Sequence, residues 1–399
     1  MSETATIDRD LAQRFAPLFD ELGREAVDRE RERRLPHAEV EALREAGFTR
    51  VTLPRRYGGE DATHGELFEL LAELARRDPN LAQLFRSHFS YIDRTLHTPS
   101  SADREARLAR LADGAIVGNA SHERSAAKVG SLATRLTETP GGLRLNGTKF
   151  YSTGTLFADL VGVAAEQDGE FVSVLVETDA AGVDRIDDWT GFGQRLTGSG
   201  TTVFTEVPVE PSTVTRREPE RPSHGGAFVQ LVLLAAVTGI GRAIVDDAGA
   251  FVRTRTRTYS HGAAATAQAD PIVQEVVGEL SAKSFAADAA LAAATTALGR
   301  SSAAILGADP DLVQERIADV ELATARAQLV ILPAVLDAAT ALFDVGGASA
   351  VETHRALDRH WRNARTIASH NPSRFKARAI GDHVVNGTPI ASWWSTGEA

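Results

Sequence analysis

Residues 365–381 read RTIASHNPSRFKARAIG, and the step His370-Asn371-Pro372 inside them joins residue types that can do chemistry. An imidazole exchanges protons near neutral pH, and an amide both donates and accepts hydrogen bonds. Proline disfavours helix for the residue before it, so His370 and Asn371 fall on the turn leaving an Arg-rich helix. A turn on a rigid helix is a good place to present reactive side chains. Two readings stand side by side. The pair belongs to a site, or it is a helix stop whose imidazole meets the last carbonyls.

Periodicity gives the elements that would position such a turn. Residues 7–95 carry helix-spaced apolar residues. IDRDLAQRFAPLFDELGREAVDRERERR is followed by PHAEVEALREAGF, which opens on Pro and ends at Gly47; THGELFELLAELARRD and PNLAQLFRSHFSYIDRTL then flank a break at Pro79. Between residues 114 and 210 the period shortens: GLRLNGTKFYS, LVGVAAE, FVSVLVE and TTVFTEVPV are β-branched and aromatic, with Gly, Pro and Asn-Gly turns between them. From Gly225 to Gly346 long Ala-rich helices return, apolar on more than one face, which suits a bundle core or a subunit interface. The expectation is a mainly α protein with a central β-domain. Its N-terminal helical domain covers 1–112, the β-barrel-like middle domain 113–215, and a C-terminal four-helix bundle and tail 216–399.

Composition narrows the function. A net charge of −11 argues against nucleic acid, whose phosphates need a basic footprint. The longest apolar run, FVQLVLLAAVTGIG (228–241), is interrupted by Gln230 and reads as too short for a bilayer span. The start MSETATIDRDLAQRF lacks the basic and apolar stretches of an export signal, so a cytoplasmic protein without a membrane is expected. There is no cysteine, which removes disulfides, thiolate metal sites and a cysteine nucleophile, and no metal is expected. Met1 is the only methionine, although Met is the easy gap-filler of a Leu-, Ala- and Val-rich core. Work beside peroxides, which attack sulfur, or synthesis when sulfur is short would each favour that composition. TGIGRA (238–243) lies inside an apolar helix and reads as close helix packing, not as a dinucleotide loop.

Five segments occur in order: LPRRYGG (53–59), LNGTKFYSTG (145–154), GFGQRLTGSGTTVFTEVPV (191–209), FVRTRTRT (251–258) and FDVGGASAVE (343–352). Together they resemble the acyl-CoA dehydrogenase fold along essentially the whole chain. The family's dehydrogenases place a catalytic Glu near the C-terminus; here the place reads Ala368-Ser369-His370-Asn371-Pro372, without a carboxylate. The chain is similar in this respect to the two-component, reduced-flavin monooxygenases typified by dibenzothiophene monooxygenase and the sulfur-acquisition oxidoreductases.

That resemblance implies an FMNH2-dependent oxygenase component. It would transfer one atom of molecular oxygen from a flavin C4a-hydroperoxide to a small organic, expectedly organosulfur, substrate. FMN would arrive reduced from a separate NAD(P)H-dependent flavin reductase, and the subunits would form a homotetramer. The matching site residues are His370, His88 in FRSHFSY, Asn119 in VGNASHE and Ser152 in FYSTG. His370 would support the peroxide and supply a proton, and His88 would orient the substrate or act as acid/base on it. Ser152 would fix the flavin N5–C4a edge or the peroxide, Asn119 would read the pyrimidine edge, Asn371 would bond flavin carbonyls, and Arg255 would meet the flavin phosphate. Each has an ordinary alternative. His88 would be a helix histidine, Asn119 a turn cap, Asn371 a backbone contact, and the arginines beside Arg255 (Arg253 and Arg257) a solvated face. Trp189 and Phe192 would line the pocket or belong to the core. Three rival functions remain: an FAD-dependent acyl-CoA dehydrogenase with an atypical base, a flavin N- or aromatic hydroxylase of the same fold, and a non-enzymatic scaffold.

Overall fold

The computed structural model describes residues 9–124, 131–216, 218, 221–257, 260–307 and 309–391. Its N-terminal helices are α1 (Arg9–Arg24), α2 (Ala26–Glu32), α3 (His37–Glu45), α4 (His64–Arg77), α5 (Pro79–Leu84), α6 (Arg86–Leu96) and α7 (Ala102–Ala112). Local chemistry sets their ends. Thr63 and Glu66 form a reciprocal capping box on α4. The break at Pro79 follows expectation, with the Asp78 carboxylate accepting the Asn80 N–H at 3.0 Å. A second break at Phe85, which has no proline to announce it, starts α6 at Arg86.

The strands are β1 (Val117–Ala120), β2 (Arg135–Thr139), β3 (Gly142–Lys149), β4 (Leu160–Gln167), β5 (Glu170–Glu177), β6 (Val183–Ile186), β7 (Thr201–Val209) and β8 (Val214–Arg216). They form one sheet in the order β6-β7-β3-β2-β4-β5-β8, with β1 parallel to β4. Alternate residues such as Val161, Val163, Val172 and Val174 build a core distinct from that of the helices. One turn assignment needs correction. Asn146-Gly147 is not a hairpin turn but a bulge inside β3, where the register against β7 shifts between Leu145 and Gly147. The Asn146 amide donates to the Glu206 carboxylate at 2.7 Å and accepts the Glu206 N–H at 2.8 Å, holding the bulge.

The helical half resumes with α8 (Gly225–Thr254), α9 (Pro271–Gly307), α10 (Pro310–Ala341), α11 (Asp358–Ala368) and α12 (Ser373–Asn386). By length and composition α8 is apolar enough to cross a bilayer, contrary to the shorter run read from the sequence, and so are α9 and the helical stretch beginning with α10. In the fold α8 is enclosed by α4, α9 and α10. Gly239 lets α8 approach α4 at backbone distance; a Cβ there would lie 2.3 Å from the Ala72 carbonyl oxygen. The TGIGRA segment is thus a packing feature. The arginines of FVRTRTRT do not share a helix face either. Arg253 is in the last turn, whereas Arg255 follows the helix in extended conformation.

Arg29 ties α2 to two other helices. Fully buried, it reaches the Glu39 carboxylate at 3.0 Å, the Asp78 carboxylate at 3.0 Å and the Leu22 carbonyl at 2.7 Å. Removing the cation strands two enclosed carboxylates, and breaking a buried pair costs about 3–5 kcal/mol. Arg29→Ala should therefore lower unfolding free energy by that amount in urea titrations.

Candidate functional site

The turn between α11 and α12 is held by two glutamines. The Asn371 side-chain N–H donates to Gln230 Oε1 of α8 at 2.5 Å, and the Asn371 carbonyl accepts from Gln328 Nε2 of α10 at 2.9 Å. His370 follows the Ser369 cap, its N–H closing on the Ile367 carbonyl at 3.0 Å. Its ring turns toward the N-terminal helices, where Arg86 Nη1 donates to Nε2 at 3.2 Å. Arginine can only donate, so Nε2 accepts and the proton sits on Nδ1. Burial, then the Arg86 charge, push the His370 pKa down to about 3. The residue still reaches solvent, which weakens the burial contribution, but Arg86 acts in the same direction. His370 is neutral at pH 7, a hydrogen-bond donor rather than an imidazolium.

The β-domain supplies the other wall. His122 is close enough to His370 to act on it electrostatically, and its ring lies 5.4 Å from that of Tyr151. Tyr151 adopts φ +59°, a left-handed conformation costly for a bulky residue, just before Ser152. Ser152 is buried, and its hydroxyl has no hydrogen-bond partner. Asn119 on β1 donates to the Tyr151 carbonyl at 3.3 Å and accepts from Ser121 at 2.7 Å. The loop 191–200 closes over this turn through Ser152 N–H to Gly200 O at 3.0 Å and Gly154 N–H to Thr197 O at 2.9 Å. Within it Gln194 is buried at φ +50°, and both atoms of its side-chain amide lack partners. Its own N–H goes to Asn363 Oδ1 on α11 at 2.6 Å, and Gly193 lies so close to that helix that a Cβ would meet Arg362 O at 2.1 Å.

Orphaned buried polar atoms are costly unless a ligand completes them. Ser152 Oγ and the Gln194 amide offer donors and acceptors of the kind that a flavin's N3–H, carbonyl and N5 edge requires, so the residues present fit FMN.

Not every residue singled out from the sequence joins this wall. His88 is fully enclosed, with Nε2–H donating to Thr49 O at 2.7 Å and Nδ1 accepting the Val117 N–H at 3.3 Å. Both nitrogens are occupied, and its geometry fits the helix-histidine reading. Arg255 bonds the Val345 carbonyl at 2.7 Å. It lies 26 residues beyond Val229 along α8, roughly 40 Å at the helical rise, far beyond the length of one flavin in the same subunit. Asn371 bonds neighbouring side chains and serves the turn's position. Trp189 is half-buried and donates to Gln194 O at 2.9 Å, while Phe192 is exposed and stacks on Trp361. Arg86, His122 and Gln194 were not singled out; neither the long-range bond of Arg86 to His370 nor the unpartnered amide of Gln194 leaves a trace in spacing. A separate cluster, His64, Asp93 and His224, lies close enough to hold a cation, but both imidazoles already donate to the Asp93 carboxylate at 2.8 and 3.0 Å.

Residues 3–115 match the acyl-CoA dehydrogenase N-terminal domain and residues 231–374 the acyl-CoA dehydrogenase C-terminal domain. Dibenzothiophene monooxygenase of Mycolicibacterium goodii is 32% identical over 371 residues, 87% of each chain. The "Probable FMNH2-dependent monooxygenase SfnC" of Pseudomonas putida is 25% identical over 401 residues, 98% of this chain and 96% of that one. Among solved structures, TdsC from Paenibacillus sp. A11-2 in complex with FMN and indole superposes with a TM-score of 0.87 at 25% identity, covering 97% of this chain and 100% of that one.

The enclosed His88 makes stability acid-sensitive. Burial lowers its pKa from 6.5 to about 4, so the unfolded chain takes the proton first. The contribution is complete above pH 6.5 and is lost as pH falls toward 4. His88→Gln removes the titration while keeping a donor and an acceptor. Between pH 7 and pH 4 the variant should lose about 3 kcal/mol less unfolding free energy than the wild type, as urea titrations at the two pH values would measure.

Proposed function

The chain belongs to the acyl-CoA dehydrogenase family, in its dibenzothiophene monooxygenase branch, and from that premise we propose that it is the oxygenase component of a two-component system. It receives FMNH2 from a separate NAD(P)H-dependent flavin reductase and transfers one atom of molecular oxygen to a small organosulfur compound. The observation that carries this reading is the surroundings of His370. Its titratable neighbours are Arg86 and His122, with no carboxylate acting on it among the described residues. A dehydrogenase needs a base there to remove a proton. This junction instead offers hydrogen-bond donors, which suit negative charge developing on oxygen.

Bound reduced flavin supplies, with molecular oxygen, the electrophilic oxygen atom and the two electrons that reduce its partner atom to water. The chain's own residues hold, shield and polarise. Ser152 and Gln194 would bond the flavin edge, with Asn119 beside them through the Tyr151 carbonyl. His370 is a neutral donor through Nδ1–H, which is already within reach of the Asn371 side chain, its tautomer fixed because Nε2 accepts from Arg86. His88 pins α6 to β1 and the Thr49 turn and thereby positions Arg86, two residues earlier. Shielding the flavin from water would suppress decay to hydrogen peroxide. Sulfur, with a soft lone pair, accepts electrophilic oxygen once positioned, and a chain without cysteine or internal methionine offers no competing thiol or thioether.

Assembly is part of the proposal. Ile272, Phe285 and Leu306 on α9 and Val330 on α10 are large apolar residues left exposed, as expected of a face covered in a homotetramer. In that assembly Arg255 would meet the FMN phosphate of a neighbouring subunit. A cytoplasmic location suits a reductase partner.

Coupling the protein to a generic flavin reductase with FMN and NADH should oxygenate a compound that keeps a lone pair on sulfur, a sulfide, sulfoxide or sulfinate. Oxidation of amines or phenols alone, with sulfur compounds untouched, would overturn the organosulfur assignment. His370→Ala should keep FMN binding, lose about 10²–10⁴-fold in oxygenation rate and release peroxide per NADH consumed. Because His370 does not titrate near neutrality, the oxygenation rate should show no acid limb between pH 6 and 8 that this substitution removes. Ser152→Ala should weaken FMN binding by about 3–10-fold in fluorescence titrations, the worth of one hydrogen bond.

A further inference from the structure

Arg86 opens α6, and most of its hydrogen-bonding capacity is unspent. Nε–H donates to the Val229 carbonyl at 3.0 Å and Nη1 to His370 Nε2 at 3.2 Å. A guanidinium has five N–H donors. The remainder have no protein partner among the described residues, nor are they sealed in the interior. Among the described residues no carboxylate pairs with Arg86, and none acts on it at longer range. Arginines elsewhere are answered either by carbonyls without an ion pair among the described residues, as at Arg50, Arg185 and Arg195, or by acid. Arg29 has Glu39 and Asp78; Arg242 has Glu69, Glu73 and Asp288; Arg362 has Glu30 and Asp358.

We propose that Arg86 is an anion-recognising residue of the substrate pocket and that the organosulfur substrate carries an oxyanion, held by this guanidinium beside His370. The inference rests on the monooxygenase reading and names the substrate class for it. A planar guanidinium matches a sulfinate, sulfonate or carboxylate with two parallel hydrogen bonds. Burial lowers the Arg86 pKa only to about 10, so the cation persists at neutral pH. A half-buried cation gains more from an anion than a fully solvated one does. A neutral thioether or sulfone would leave that charge unanswered. The substrate keeps its charge while oxygen is transferred, so the contact serves substrate and product alike. The substrate contact itself acts on KM, and the bond to His370 Nε2 adds an effect on kcat when Arg86 is removed.

Binding is read by calorimetry on the FMN-free protein with methanesulfinate, methanesulfonate and acetate as anionic probes, and dimethyl sulfone as the neutral isostere. The wild type should bind at least one anion at least tenfold more tightly than the sulfone. Arg86→Gln should remove that preference and Arg86→Lys restore part of it, with FMN affinity unchanged in both. The preferred headgroup tells sulfinate, sulfonate and carboxylate apart. Equal affinities of the wild type for anions and sulfone, or an Arg86→Gln variant that retains the preference, would overturn the inference. So would loss of FMN binding in Arg86→Gln, which would assign the residue to the flavin. In the reductase-coupled assay, wild-type oxygenation of neutral sulfides with anions ignored would sink the inference and leave the monooxygenase standing. Arg86-dependent anion binding without oxygenation of any sulfur compound would support the anion site and sink the monooxygenase.

Discussion

Everything proposed for this protein depends on one amide. Asn371 lies between two helices that cannot be continuous, because Pro372 follows it, and its side chain and carbonyl are taken by Gln230 of α8 and Gln328 of α10. Three segments distant in sequence thus agree on where one turn must be. The clamp is buried and polar, and such an arrangement specifies position more than it adds stability. Its product is direction. With the turn fixed on the bundle, the preceding residue has to aim its ring away from α8 and α10, toward α6 and the β-domain.

The consequence is electrostatic. A histidine on a helix C-terminus in water would meet the partial negative charge of the last carbonyls and hold its proton more firmly. Here Arg86 stands across from it and burial reinforces the effect, so the ring stays neutral. The β-domain contributes no acid to reverse this; His122 is another imidazole. Strain on that side is local. Tyr151 sits in a left-handed conformation and Gln194 in another, each next to a polar group that the protein itself leaves unsatisfied. Such conformations persist only where the surroundings over-determine them.

The broad architecture was legible because it rests on period and punctuation. Helix-spaced Leu and Phe, β-branched alternation, and the Pro79 break follow from side-chain geometry alone. The turn after α11 was legible for the same reason, Pro372 fixing the stop. Resemblance supplied Ser152 and Asn119, and the unsatisfied Ser152 hydroxyl is what such a role requires. His88 and Arg86 mark where reading ran out. They lie two residues apart on one helix, and the sequence cannot say which of them turns inward, because that depends on the break at Phe85, which carries no proline or glycine. The Asn-Gly step misled because a bulge and a hairpin turn want the same residues; only the strand partner distinguishes them.

The contact at Gly239 bears on which parts can move. Where α4 and α8 touch at backbone distance, with no side chain between them, the two helices have no room to slide or roll. That contact therefore ties the N-terminal helices to the bundle core. Freedom of movement is left to elements that are anchored more lightly. Helix α12 buries none of its residues and packs chiefly on α10, so less of the core depends on it than on either side of the α4–α8 seam.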